Sequence, residues 1–326
     1  MPKVSEKYSK LYHYTTWEGL LGILQTQTLW ATHYRFLNDY SELVLLRDKL
    51  IGFVSPIVKE QYGELVEQCQ DVRKDINRMG GMDRVVLHDT EVFVDGAYKA
   101  TGEEIYIVSF CGEDKNSYVN SNGLLSQWRG YGAGGGIALL FDTKKLEEIM
   151  QKEAERYAYN FAYIADVVYS DDEEKFKKEI RSDMNNIAAF ARECFHNIKL
   201  KKQEAPDGTK ACYSFTGCIG RYKHQGFKEE NEVRIVCSPM IQNEENLRLA
   251  KKKDSTLKPE KKRKFRTKNK TLIPYIELFN STDIILPIER IIVGPHKGKE
   301  SRASALRTML KNTNIVITVS DIPYID

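Results

Sequence analysis

Glu230 and Glu232 stand two residues apart, where an acidic cluster meets the apolar residues Val233, Ile235 and Val236. In an extended segment that spacing puts both carboxylates on one face. Two like charges side by side are tolerated where solvent screens them, where a cation such as Arg234 neutralises them, or where a reaction uses them. One such carboxylate can stabilise the positive charge that builds on a sugar as its glycosidic bond breaks, while the other orients or deprotonates the incoming nucleophile. The plain structural alternative is a solvated strand start. Far upstream, His13 sits near a strand end, where an imidazole can hold a hydroxyl or serve only as a satisfied structural group. Trp128 and Tyr131 lie beside Gly130, Gly132 and Gly134. Those glycines permit close approach of backbone to a ligand or simply a flexible hairpin.

The elements that must position these groups can be read from periodicity. Residues 11–15 form a short strand, and Thr15 with Glu18 reads as a capping box for a helix with Trp17, Leu20, Leu21 and Leu24 on one face. Residues 29–32 are a second strand. Asp39 and Glu42 make another capping box, which explains both without a metal. An amphipathic helix follows over 58–76, ended by Gly80 and Gly81. Residues 104–110 are a buried strand, 112–123 a loop, and 137–141 a strand fed by the glycines. Because a dinucleotide fingerprint follows a strand and opens a helix, this glycine run is not one. Asp142 caps a helix to about Tyr157, residues 161–169 are a strand, and long and short helices cover 176–198 and 213–223. Strands at 272–278, 290–293 and 315–319 and a helix at 301–311 complete one α+β domain spanning 1–326. Its helical insertions fall at about 57–81 and 171–223.

The composition fits a soluble globular protein, with 29% charged and 41% apolar residues in 326. No apolar run reaches the roughly 20 residues that span a bilayer, and the start lacks a signal-peptide core, so a cytoplasmic protein is expected. Six cysteines without a C-x-x-C pair read as reduced core thiols. The net charge of +3 conceals an asymmetry, because residues 244–270 carry twelve Lys/Arg against four Asp/Glu, which leaves the rest near −5. This segment reads as a mobile basic loop. Lys261, Lys262, Arg263, Lys264 and Arg266, interleaved with Phe265, form a stripe suited to RNA or DNA phosphates.

The run Leu11-Tyr12-His13-Tyr14-Thr15, its capped helix and the strand Leu29-Trp30-Ala31-Thr32 resemble the first motif of ADP-ribosyltransferase-like enzymes, and Glu230-Asn231-Glu232 resembles their late acidic motif. Most of the chain is also similar to a large bacterial family of uncharacterised domains. The shared motifs are Leu-Tyr-His-Tyr-Thr, Asn38-Asp39-x-x-Glu42, Trp128-x-x-Tyr131, Glu230-x-Glu232-x-Arg234, Gly294-Pro295 and a final Ser-x-Ile-Pro-Tyr at 320–324. Tyr14 departs from the transferase pattern, which has Gly there. The resemblance implies a split, mixed or antiparallel β core with helical insertions, and NAD as substrate. It assigns Glu232 to the ribosyl cation, Glu230 to the nucleophile and His13 to a ribose hydroxyl. Tyr14 and Thr15 complete the first motif, Tyr131 (or Tyr34) or Trp128 covers the nicotinamide, and Arg129 or Arg234 meets the pyrophosphate. It further implies a toxin or antiphage-defence effector that modifies a macromolecule, most readily nucleic acid, and is silenced by a partner protein. Alternatives are transfer to protein, binding of NAD or nucleic acid without turnover, and a metal-dependent nuclease using His13, Asp39 and Glu42.

Overall fold

A computed structural model describes residues 3–37, 41–101, 104–132, 134–199, 206–240, 258–268 and 270–323. The chain divides into two compact units, 1–36 with 106–167 and 226–326, and 37–105 with 168–225. The strands of the first unit are β1 (Lys10–Thr15), β2 (Leu29–His33), β3 (Tyr106–Gly112), β4 (Ile137–Asp142), β5 (Tyr159–Asp166), β8 (Glu232–Pro239), β9 (Arg263–Lys268), β10 (Thr271–Leu278), β11 (Ile288–Val293) and β12 (Val316–Val319). Two further short strands, β6 (Val168–Tyr169) and β7 (Tyr222–Lys223), pair in the second unit. The fold is therefore α+β with a mixed sheet.

The ten strands of the first unit run β12-β11-β4-β1-β3-β2-β10-β9, with β8 pairing β3 and carrying β5. All pairs are antiparallel except β11 with β12. One edge of β3 is fully paired with β8, from Tyr106 to Cys111. Its other edge is shared. β1 takes Cys111 and Gly112, β2 takes Tyr106 and Ile107, and neither pairing reaches residues 108–110. The sheet forks there.

Strand alternation sorts the side chains into two layers. Leu11, Val108, Phe110, Leu139, Phe141, Val233, Ile235 and Cys237 face the main core, beneath which α7 (Thr143–Arg156) contributes Leu146 and Met150. Tyr12, Tyr14, Cys111, Ala138 and Leu140 face a smaller cluster around Trp128. The first helix, α1 (Trp17–Thr26), is capped by Thr16, whose hydroxyl accepts from the Gly19 amide, so the cap falls one residue later than the Thr15 box predicts. The segment expected as a loop and hairpin is helical, with α5 (Ser117–Asn122) and α6 (Leu125–Tyr131).

The second unit gathers the helical insertions, whose extents are larger than the sequence indicates. The predicted 58–76 helix belongs to α2 (Ser41–Gln68) and α3 (Gln70–Arg78), broken where Cys69 turns extended. After α4 (Met82–Thr101) in chain order, α8 (Glu173–Lys175) passes through a π-helical turn into α9 (Arg181–Lys199), and α10 (Thr209–Ile219) follows. Phe195 packs against Tyr62 and Phe93, while Tyr98 meets Phe215 edge-on. The first unit closes with α11 (Lys299–Met309), the helix at 299–309.

Candidate functional site

The two acidic residues do not share a strand face. Glu230 ends a 3-10 turn (Gln225–Glu230), Asn231 adopts a left-handed φ of 44°, and β8 begins at Glu232. Asn tolerates that conformation better than most residues, and it turns Glu230 out of the strand. Glu232 is buried and bound by a guanidinium fork, with Arg234 Nε donating to Oε1 at 2.7 Å and Nη2 to Oε2 at 3.0 Å. Both side chains are less than 5% exposed, so this pair neutralises itself inside the protein. Arg234 is engaged here and does not lie open to a pyrophosphate.

His13 lies in the fork of the sheet. Its Nδ1 is 3.0 Å from the Ser109 carbonyl, in the stretch of β3 that neither β1 nor β2 pairs, and its ring lies 5.5 Å from Phe110. Burial pushes the imidazole pKa down, and the Ser109 hydrogen bond opposes this in part. His13 is opposite Leu139, and Cys111 is opposite both Tyr12 and Glu232. By alternation, Tyr12, Tyr14, Glu232 and Arg234 share one face, and His13 belongs to the other. Glu232 and His13, both of which the resemblance assigns to the ribose, are thus on opposite faces of the sheet. Thr15 pairs with Ile137 at the end of β1.

Trp128 is a packing hub. It is 4% exposed and meets Tyr14 edge-on at 4.9 Å. Its Nε1 donates to the Asn122 carbonyl, which also accepts from Ser320 Oγ, while Asn122 Oδ1 accepts from the Asp321 amide. Gly294 donates its amide to the Gly136 carbonyl beside the same indole. Four of the motifs scattered along the sequence, at Tyr14, Trp128, Gly294 and Ser320, therefore converge on one structural cluster. Trp128 has no open face for a nicotinamide; Tyr131 and Arg129 are exposed at the end of α6. Tyr34, the other candidate tyrosine, is buried.

Glu230 lines a crevice with Tyr12, Tyr14, Asp114, Asn120, Glu229 and Asn231. Its free space is about 10 Å³, enough for roughly one water. Tyr12 donates its hydroxyl to the Asn120 carbonyl, and Tyr14 accepts from the Leu124 amide. Burial raises the Tyr12 pKa to about 12 and pushes that of Tyr14 higher still. In this arrangement the crevice does not fit a dinucleotide. Asp39 lies outside the described residues, as does the side chain of Glu42. Among the described residues no group of three His, Cys, Asp or Glu is placed to hold a metal ion. No described helix is long and apolar enough to cross a membrane. Of the cysteines, Cys111, Cys218 and Cys237 are buried, whereas Cys69 and Cys212 are exposed instead of being core thiols.

Part of the basic segment forms a strand, against the expectation of a loop; residues 244–257 and 269 lie outside the described set. β9 forms a sheet edge against β10, and its residues alternate between faces. Lys261 is a correction to the phosphate-binding stripe. It is buried against Glu153 at 2.5 Å, donates to Asn280 Oδ1 and lies over the Tyr157 ring. Arg263 is held by Glu260, and Lys264 reaches Glu277 at 2.7 Å. Lys262, Lys268 and Lys270 are exposed. Arg266 stacks over Trp30 and Tyr275, residues that the sequence reading did not single out for binding. Nothing local in the sequence announces a β2–β10 pairing across more than two hundred residues.

A family model described as a protein of unknown function (DUF2971) matches residues 127–235, about a third of the chain, including both the Trp128-x-x-Tyr131 and the Glu230-x-Glu232-x-Arg234 motifs. No curated protein and no solved structure matches.

Proposed function

We propose that the protein binds polynucleotides through the basic edge of its sheet. The observation that carries this reading is β9, which sets Lys264, Arg266 and Lys268 on one face of an edge strand, with Lys262 and Lys270 at its ends. A row of cations gives sequence-independent attraction to phosphates and is attenuated by salt. The stripe thus begins at Lys262, since Lys261 neutralises Glu153 in the interior. Binding of labelled RNA and DNA at low salt tests this. Changing the exposed pair Lys262 and Lys268 to Glu should weaken binding about tenfold or more; unchanged affinity removes the proposal.

A second reading is NAD-dependent ADP-ribosyl transfer to a macromolecule, favoured by the position of His13 in the gap between β1 and β3. Fold alone does not establish chemistry. The enclosed Glu232–Arg234 pair and the one-water crevice do not accommodate the substrate as they stand. This reading would make the protein a toxin or antiphage-defence effector with a silencing partner. Incubation with labelled NAD and, separately, RNA, DNA and cell protein decides it: labelled product that disappears in Glu230→Gln supports transfer, and absence of nicotinamide release with every acceptor rejects it.

A further inference from the structure

The outer face of β2, β10 and β9 carries more than charge. Trp30 and Tyr275 lie with ring centroids 4.6 Å apart and planes inclined by 34°. The Arg266 guanidinium sits 5.3 Å from the Trp30 ring and 5.9 Å from that of Tyr275. Its Nη2 donates to Thr32 Oγ1 at 3.0 Å, while its Nε is buried without a hydrogen-bond partner. No described carboxylate forms an ion pair with Arg266, and Glu277 on the same face is held by Lys264. Trp30 remains 40% exposed. The open indole thus lies beside a guanidinium that two rings and the Thr32 hydroxyl hold in place without a described carboxylate, which leaves its charge to a ligand.

We infer that this face is a stacking platform for single-stranded nucleic acid, in which an unpaired base lies on Trp30 and the adjoining phosphates meet Arg266 and Lys268. Charge complementarity selects a polyanion, and the open indole selects among polyanions. Bases in a duplex have their faces occupied by neighbours, whereas a single strand can present one to an aromatic ring. The register supports the geometry, since Arg266 and Lys268 lie two residues apart on one face of the edge strand, next to the row that carries Tyr275.

The inference rests on the polynucleotide reading and names its substrate class, and duplex binding lets the two fail separately. A fluorescent thymidine oligonucleotide, a duplex of the same length and phosphatidylserine vesicles are each titrated with the full chain. The single strand should bind at least about tenfold more tightly than the duplex and quench tryptophan emission. Trp30→Ala should weaken single-strand binding about tenfold while changing duplex binding little. Trp30→Phe keeps a stacking ring and a β-compatible side chain; it should retain most affinity and lose the quench. Equal affinity for the two nucleic acids, or a quench that persists in Trp30→Phe, overturns the platform and leaves phosphate binding standing. Binding to vesicles alone overturns both.

Discussion

An imidazole placed in the fork of a sheet has a thermodynamic consequence that does not depend on any reaction. His13 has its Nδ1 at the Ser109 carbonyl and its ring against Phe110, and burial holds its pKa below the ordinary value of 6.5. The folded chain therefore binds fewer protons at this site than the unfolded chain. Stability rises with pH wherever the unfolded state holds the extra proton. The contribution of His13 is thus complete above about pH 6.5 and is lost as pH falls towards and through its lower folded pKa. Urea midpoints should fall between pH 7 and pH 5, and His13→Gln should flatten that slope. An unchanged slope in His13→Gln would assign the acid sensitivity elsewhere. The sequence shows that His13 lies in a strand, but not which face it takes, because the divergence of β1 from β3 is set by pairings far away in the chain.

The elements most legible in the sequence were those with one polar and one apolar face, such as α1, α7 and the helix at 299–309. The strand at 263–268 was not legible, because edge strands carry charge to discourage further pairing and so look like solvated loops. The glycine-rich stretch, expected to be irregular as well, opens with a helix. Its glycines let backbone and indole pack closely, as at Gly136, where an added Cβ would lie 2.4 Å from the Gly132 Cα. Gly123 shows the same demand in a form that can be measured. It ends α5 at φ 80° and ψ 168°, a region essentially restricted to glycine, and an added Cβ would lie 2.5 Å from the Trp128 ring. Gly123→Ala should destabilise the protein by about 1–3 kcal/mol or more from backbone strain and collision, measured by urea unfolding. Wild-type stability in that variant would show that Trp128 is not the hub described.

At the scale of the whole molecule the charge is nearly balanced, at +3 over 326 residues, so the protein has little general attraction for polyanions. Binding must then arise where basic charge is concentrated, and much of that charge is already committed. Lys261 is bound to Glu153, Arg263 to Glu260 and Lys264 to Glu277, leaving Lys262, Arg266, Lys268 and Lys270 as cations without a described ion-pair partner. If those four meet phosphates of a single strand, the logarithm of affinity should fall with the logarithm of salt concentration at a slope of roughly −3. Lys268→Glu should make the slope shallower by about one, as removal of a phosphate contact does. A slope several units steeper would require cations outside this edge, whereas a slope near zero would remove the electrostatic basis of the proposal. Stacking on Trp30 contributes little to ion release, so Trp30→Ala should lower affinity while preserving the slope, separating the aromatic component from the ionic one.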